Sequence, residues 1–466
     1  MKRRLAFVVL SLLCGVSPAQ GPGWKAGVAK TIITPAKPMW MAGYGGRDRP
    51  AEGTLHELWI RVLALQDADG HVGIVLCSDT LGISKSIYNN TCESLKNQFG
   101  LNPDQIMLHC SHTHTGPVLR DALYDVYPLD DEQLCMIEEY SEQLEERIVA
   151  TVAEAIAKLA PAKISGGQGY ATFAVNRRNN SEREVLKLRR AAALKGPADH
   201  SVSVLAVRST TDELIAVVFG YACHNTNLSF YQWSGDYAGF AQYALEDVHP
   251  NAVAMFYMGC GADQNPLPRR TVELAHGYGL RLAEAVERVL AGPMRKLEPD
   301  LQTHLELVTL NLGIEPTRDE LTTLAAAGKS LRNRWAARLL KDVESGIPLE
   351  RTYPCPVQVW QLGRKQLWIA IGGEVVVDYA LGFKQLYGDE IWVAGYCNDV
   401  MAYIPSLRVL DEDKPPRSGY EGNTSMMVYG RAAERWADDI EESISESVDR
   451  MVKRLNGAQA GSEIPE

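Results

Sequence analysis

Histidine is scarce in this chain, with ten residues in 466. Several familiar catalytic signatures are missing altogether. There is no H-E-x-x-H, no Walker phosphate loop and no G-x-S-x-G elbow, which removes several common hydrolase classes. The nine cysteines include no C-x-x-C pair, so a structural zinc ribbon is not indicated. The formal charge is −11 and no basic stripe stands out, which excludes a nucleic-acid partner. No stretch beyond the N-terminus reads as a membrane-spanning helix. No low-complexity tract, internal repeat or clear linker is visible.

What is present is ordinary globular composition, 46% apolar and 23% charged, in a chain long enough for one large domain or two ordinary ones. The first residues read as a secretory signal peptide. Lys2, Arg3 and Arg4 precede an apolar run from Leu5 to Val16, and Ser17-Pro18-Ala19 offers small residues for cleavage. A lipoprotein reading around Cys14 is weaker, because Leu13 is bulky. Cleavage after Ala19 takes the net charge from −11 to −14 and leaves eight cysteines. Export permits disulfides, but these cysteines are scattered and several sit in apolar runs, where a buried free thiol is the plainer expectation. The expected product is a secreted or periplasmic protein of residues 20–466.

Strand and helix patterns alternate along the chain. Residues 71–79, 105–110, 213–224, 366–374 and 390–399 are apolar runs of strand length, and 252–266 reads as a strand running into a glycine-rich loop. Residues 131–161 keep a period near 3.6 and are expected to end at Pro161; 316–350 and 430–455 also read as helical. Nearly every strand ends in a short polar or glycine-rich tip: Ser78-Asp79, Ser111 to His114, His224 to Asn227, Gly261 to Asp263, Gly373-Glu374 and Asn398-Asp399. Sites in α/β proteins form at strand ends along one edge, and loop tips on a rigid scaffold carry chemistry. The expected architecture is α/β: one large catalytic domain with mixed sheets flanked by helices and the site in strand-end loops.

His112-Thr113-His114 is an H-x-H pair. In an extended segment, residues two apart share a face, so both imidazoles could address one cation. His224 ends another apolar strand. Glu374 follows "WIAIGG" at the mouth of a buried strand, where an unpaired carboxylate is costly; a metal or an arginine partner would relieve that cost. Two histidines and a carboxylate with one open position is a known catalytic zinc arrangement. Asp79 is a candidate for orienting a ligand histidine. A capped turn or a satisfied buried polar group explains any one of these tips taken alone.

The ordered set of tips is more specific. "SHTHTGP" (111–117) resembles the T-H-T-H-S-G-P motif of the neutral/alkaline ceramidases, zinc-dependent amidases that cut N-acyl sphingosine. "AGVAKTIITP" with "MAGYGGR", "AVNRR", "ACHNTN", "SGDYAGFAQYALE", "GGEVV", "AGYCNDVMAYIPS" and "GYEGNTS" are similar to further segments of that family, in family order, from about residue 25 to 430. The resemblance implies one zinc ion per chain, held by His112, His224, Glu374 and Tyr403. It implies that His114 and Arg177 contact the substrate beside the reacting amide, with Gly43 in the same substrate-binding set. Tyr420 would bind substrate and donate to the developing oxyanion, and a zinc-activated water would attack the acyl carbon.

Three departures qualify that picture. Asn265 stands in the catalytic set where the family has a serine, which excludes that serine as nucleophile and leaves the zinc–water route. Val400 replaces the first tyrosine of N-x-Y-x-x-Y. The family's C-terminal β-domain is expected to be absent, because the chain ends soon after the last motif. The expected activity is therefore hydrolysis of an N-acyl bond, ceramide-like, in an N-acylated lipid or amphiphile, with possible contact to a membrane surface but no transmembrane segment. The alternatives are a metal-dependent esterase or glycan deacetylase on the same scaffold, or a zinc-containing surface binding protein without catalysis.

Overall fold

The computed structural model describes residues 23–460 apart from Pro415; residues 1–19, expected to be a signal peptide, lie outside the described residues. Short elements aside, the chain passes three times through one unit, β-β-β-α-β-α. In the first, β1 (Lys25–Ile32), β2 (Trp59–Gln66) and β3 (Val72–Ser78) pair antiparallel in turn. Helix α1 (Lys85–Phe99) crosses over, β4 (Ile106–Cys110) lies parallel to β3, and α2 (Asp131–Ala157) follows. The second unit repeats this with β5 (Ala160–Tyr170), β6 (Ser201–Ser209), β7 (Leu214–Tyr221), α3 (Asp236–Val248), β8 (Val253–Met258) and α4 (Val272–Leu290).

The third unit inserts α5 (Arg318–Ala326) and α6 (Leu331–Glu344) between its first two strands, β9 (Leu301–Asn311) and β10 (Thr352–Leu362). It continues through β11 (Gln366–Ile371), α7 (Val377–Tyr387), β12 (Trp392–Ala394) and α8 (Ile440–Ala460). No repeat is visible in the sequence because the units share strand order and direction, not residue identities. The other differences are local. The helix expected to run to Pro161 stops at Ala157, and Pro161 is instead the second residue of β5, opposite Lys25. The helical run 316–350 is two helices, and the last helix begins only at Ile440.

Units one and two share a sheet through β1 and β5, in the order β8-β7-β6-β5-β1-β2-β3-β4, with Arg295–Lys296 beside β5. The third unit forms its own sheet, β9-β10-β11-β12. Alternation along the strands explains the layering. In β2, Val62 and Ala64 face the helices, while Leu63 and Leu65 face the second sheet. Trp360, Trp368 and Trp392 of the small sheet fill that middle layer against Met107, Leu205, Val218 and Tyr257. Helix α8 covers the outer face of β9 and β10, so the layers run helix, sheet, sheet, helix.

The large sheet curls until its two edge strands, β4 and β8, come into contact. The segment around β12 closes the gap through the bridges His109↔Cys397 and Gly259↔Ala394 and a 2.7 Å bond from the Asn398 amide to the Leu108 carbonyl. This brings together the carboxyl ends of the three parallel pairs β3–β4, β7–β8 and β11–β12. The eight cysteines are free, and all but Cys135 are buried. Among the described residues no helix is long and apolar enough to cross a membrane.

His109 sits in the middle layer, its ring stacked on Trp368 at 14° and 5.3 Å, with Nδ1 3.1 Å from Cys397 Sγ. Burial pushes its pKa from 6.5 down to about 3. The folded chain therefore keeps this imidazole neutral where the unfolded chain protonates it. Its contribution is complete above pH 6.5 and is lost as pH falls towards 3. Denaturant titrations at pH 7 and 4.5 should show the wild type losing roughly 2–3 kcal/mol more than His109→Phe over that interval.

Candidate metal centre at the strand ends

The four donors named by the sequence meet in one place, and a fifth lies beside them. His112 follows β4, His224 follows β7, Glu374 follows β11 and Tyr403 comes after β12. The Nε2 atoms of His112 and His224 are 3.2 Å apart. Glu374 Oε2 is 3.2 Å from each of them. Tyr403 Oη is 3.3 Å from His224 Nε2, and His114 Nε2 is 3.2 Å from His112 Nε2. His112, His224, Glu374 and Tyr403 are each at most 4% exposed.

Backbone carbonyls fix which ring nitrogens point inward. His112 Nδ1 lies 2.6 Å from the Leu81 carbonyl, and His224 Nδ1 lies 2.9 Å from the Gly261 carbonyl. A carbonyl only accepts, so each Nδ1 carries the proton and each Nε2 presents a lone pair. Burial, helped by the nearby Arg177 charge, pushes His224 down to about 4, and burial also pushes His114 well below its ordinary value, so both stay neutral. Lone pairs at 3.2 Å with no proton between them repel. The buried Oε2 of Glu374 has no hydrogen-bond donor either. A cation resolves both problems. A tetrahedral ion with bonds of about 2.0–2.1 Å holds its donors about 3.3 Å apart, which the observed spacings match. The buried His112, His114 and His224 group can hold a metal ion on its own spacing.

The local chain geometry differs from the extended H-x-H reading. His112 has φ of 55°, and the segment turns, so the two rings converge through a turn and not through strand alternation. Gly43 has φ of 104°, and a Cβ there would fall 2.4 Å from His114 Nδ1, so the bare backbone at Gly43 is what His114 packs against. Arg47 holds the other side, donating to the His114 carbonyl at 2.7 Å.

Tyr429, which the sequence reading missed, donates its hydroxyl to Glu374 Oε1. Tyr396, also missed, lays its ring 4.4 Å from that of His112. Arg177 donates Nη2 to Tyr403 Oη at 3.1 Å and Nε to Glu421 at 2.8 Å. Arg178 is held by Glu412, Asp413 and Glu421. The two arginines are thus the middle of a part-buried ion network and not a solvated pair. Burial, reinforced by Glu374, raises the Tyr403 phenol well above its ordinary value; Arg177 opposes this.

Tyr420 is 43% exposed at the rim, its ring 5.2 Å from that of Tyr403. Asn265 is buried on the short strand Gln264–Pro266, opposite Val175 of Ala174–Asn176, and lines the same cavity as Arg177. Asp263 braces this corner: Val377 N and Asn176 Nδ2 donate to its carboxylate at 3.0 Å each. Asp79 does not reach the histidines. Its carboxylate is taken by Arg61 and the Trp59 amide, both at 3.0 Å, so it braces β2 and not a ligand.

Comparison with known proteins bears on the same region. Two solved structures share the fold. One, a ceramidase complexed with C2, is 17% identical, with a TM-score of 0.65 over 88% of this chain and 74% of its own. The other, the neutral ceramidase from Pseudomonas aeruginosa, is 18% identical, with a TM-score of 0.66 over 88% and 73%. No curated protein matches the sequence. The family model for the N-terminal region of neutral/alkaline non-lysosomal ceramidases matches residues 24–259, about half of the chain. This chain belongs to the neutral/alkaline non-lysosomal ceramidase family.

Proposed function

We propose that this protein is an exported, zinc-dependent amidase that hydrolyses an N-acyl bond of a ceramide-like or smaller N-acylated amphiphile. The observation that carries the reading is the meeting of two Nε2 lone pairs, a donor-less carboxylate oxygen and a phenol at 3.2–3.3 Å. His112, His224, Glu374 and Tyr403 would hold the ion. Zinc there supplies a Lewis acid and a water acidic enough to act as nucleophile near neutral pH.

The protein groups divide the remaining work. The Leu81 and Gly261 carbonyls and the Tyr429 hydroxyl orient the donors, a layer that typically matters 10–100-fold in metal affinity. Arg177 favours the phenolate of Tyr403 by donating to its oxygen. His114, with its Nε2 beside the donors, is placed to meet the scissile amide. Tyr420, at the rim, would donate to the acyl oxygen as negative charge develops. Asn265 offers a carboxamide and no nucleophile, so the reaction needs no acyl-enzyme. The support for export is the N-terminal pattern alone, with cleavage after Ala19.

Metal analysis of the mature chain should give one zinc per chain, and chelation should remove both zinc and amide cleavage. His112→Ala should lose both; metal-free protein with full activity would overturn the proposal. Tyr429→Phe should keep the fold and weaken zinc binding 10–100-fold in a competition titration. Tyr420→Phe should keep zinc and lower kcat about 100-fold. Gly43→Ala should lower kcat/KM while circular dichroism stays unchanged, because the added methyl displaces His114. Bound zinc with no turnover of any acyl substrate would instead favour a non-catalytic binding protein.

A further inference from the structure

Two cavities end at side chains that touch the donor cluster, and they differ in character. One, of about 420 Å³, reaches the cluster at Leu81 and Tyr429 and has a mixed wall, with Ile83, Val118, Val400 and Met401 forming an apolar stripe among charged groups such as Lys85, Glu350 and Arg431. The other, of about 490 Å³, reaches it at Arg177 and Tyr420 and is lined almost wholly by polar and charged groups, among them Asn265 and Arg269. A second hydrocarbon chain, as in a ceramide, gains little in such a chamber.

The polar chamber carries arginines and acids in equal number, so its selectivity lies in which atoms are already engaged. Both Glu421 oxygens accept from Arg177 and Arg178, and both Asp413 oxygens accept from Arg178. The donors are left over. Arg177 uses Nε and Nη2, and Arg269 uses Nε on Glu182 and Nη1 on Thr226. Asn265 engages only its Oδ1, with Thr226, although the residue is 3% exposed. Among the described residues, Arg177 Nη1, Arg269 Nη2, Asn265 Nδ2 and the Tyr420 hydroxyl have no protein acceptor. Arg270, exposed beside this corner and 5.1 Å over the Tyr44 ring, has no carboxylate within ion-pair distance among the described residues. Burial and the Arg270 charge together pull the Arg269 guanidinium below its ordinary range, a strain that an anion relieves.

We propose that this chamber is a subsite for an anionic group on the amine side of the substrate, a carboxylate, sulfonate or phosphate, with Arg269 and Asn265 as its specificity-determining residues. The inference rests on the amidase reading above. The acyl chain would lie along the apolar stripe of the mixed cavity and the anionic end in the polar one. The enzyme's substrates are then single-chain N-acyl amino acids or N-acyl aminosulfonates in preference to ceramide. Guanidinium and carboxamide donors converging on one oxyanion group make charge-assisted, partly bidentate contacts.

The test uses the zinc-loaded full chain and four lauroyl amides: of glycine, taurine, ethanolamine and sphingosine. The expected result is kcat/KM for the glycine and taurine amides at least tenfold above the ethanolamine amide, an advantage that shrinks with added salt. Arg269→Gln and, separately, Arg270→Gln should cut that ratio at least fivefold, mainly through KM. Binding of N-dodecylglycine, which has no acyl bond to cleave, is measured by calorimetry and should weaken at least fivefold in Arg269→Gln. Equal or faster cleavage of the ethanolamine and sphingosine amides overturns the subsite and leaves the amidase reading intact. Failure to cleave any of the four overturns both.

Discussion

The site depends on two hydrogen bonds, those from His112 Nδ1 to the Leu81 carbonyl and from His224 Nδ1 to the Gly261 carbonyl. They set the tautomers and turn two Nε2 lone pairs on one point. In the first unit the histidine lies after the fourth strand and the carbonyl after the third. In the second unit the order is reversed, with His224 after β7 and Gly261 after β8. The clamp works in either sense because parallel neighbours end side by side and expose carbonyls and side chains at the same rim.

Around that pair the structure concentrates charge that would be expensive elsewhere. Glu374 is buried against imidazoles and a tyrosine hydroxyl, with no lysine or arginine partner among the described residues. Arg177 and Arg178, next in sequence to a paired strand, tie the Tyr403 oxygen to the acids at 412, 413 and 421. The network fixes the segment after β12, the last piece of the donor set to join.

Much of this was legible in the sequence, for identifiable reasons. Strand tips advertise themselves, because an apolar run that stops at His or Glu is an unusual pattern. His112, His224, Glu374 and Tyr403 stand in ordered motifs, and they meet. The carbonyls of Leu81 and Gly261 could not be read, since a backbone group has no letter of its own. Tyr429 lies outside the motifs and reaches Glu374 only through the fold. Asp79 was misread because a buried aspartate beside a histidine-bearing loop looks like an orienting group until Arg61 is seen to claim it. The threefold unit escaped notice because strand order and direction leave no repeating residues. Pro161 was taken as a helix stop, whereas the helix had already ended at Ala157 and the proline is the second residue of the strand that follows.

Each of the three units delivers at least one donor, and none holds a complete set. During synthesis His112 is made early and Tyr403 late, with most of the chain between them. The full donor set therefore cannot exist in any nascent fragment that lacks the last sheet. The first two modules already bring His112, His114 and His224 together, and the third adds a carboxylate and a phenol, so affinity for an ion is complete only in the finished tertiary assembly.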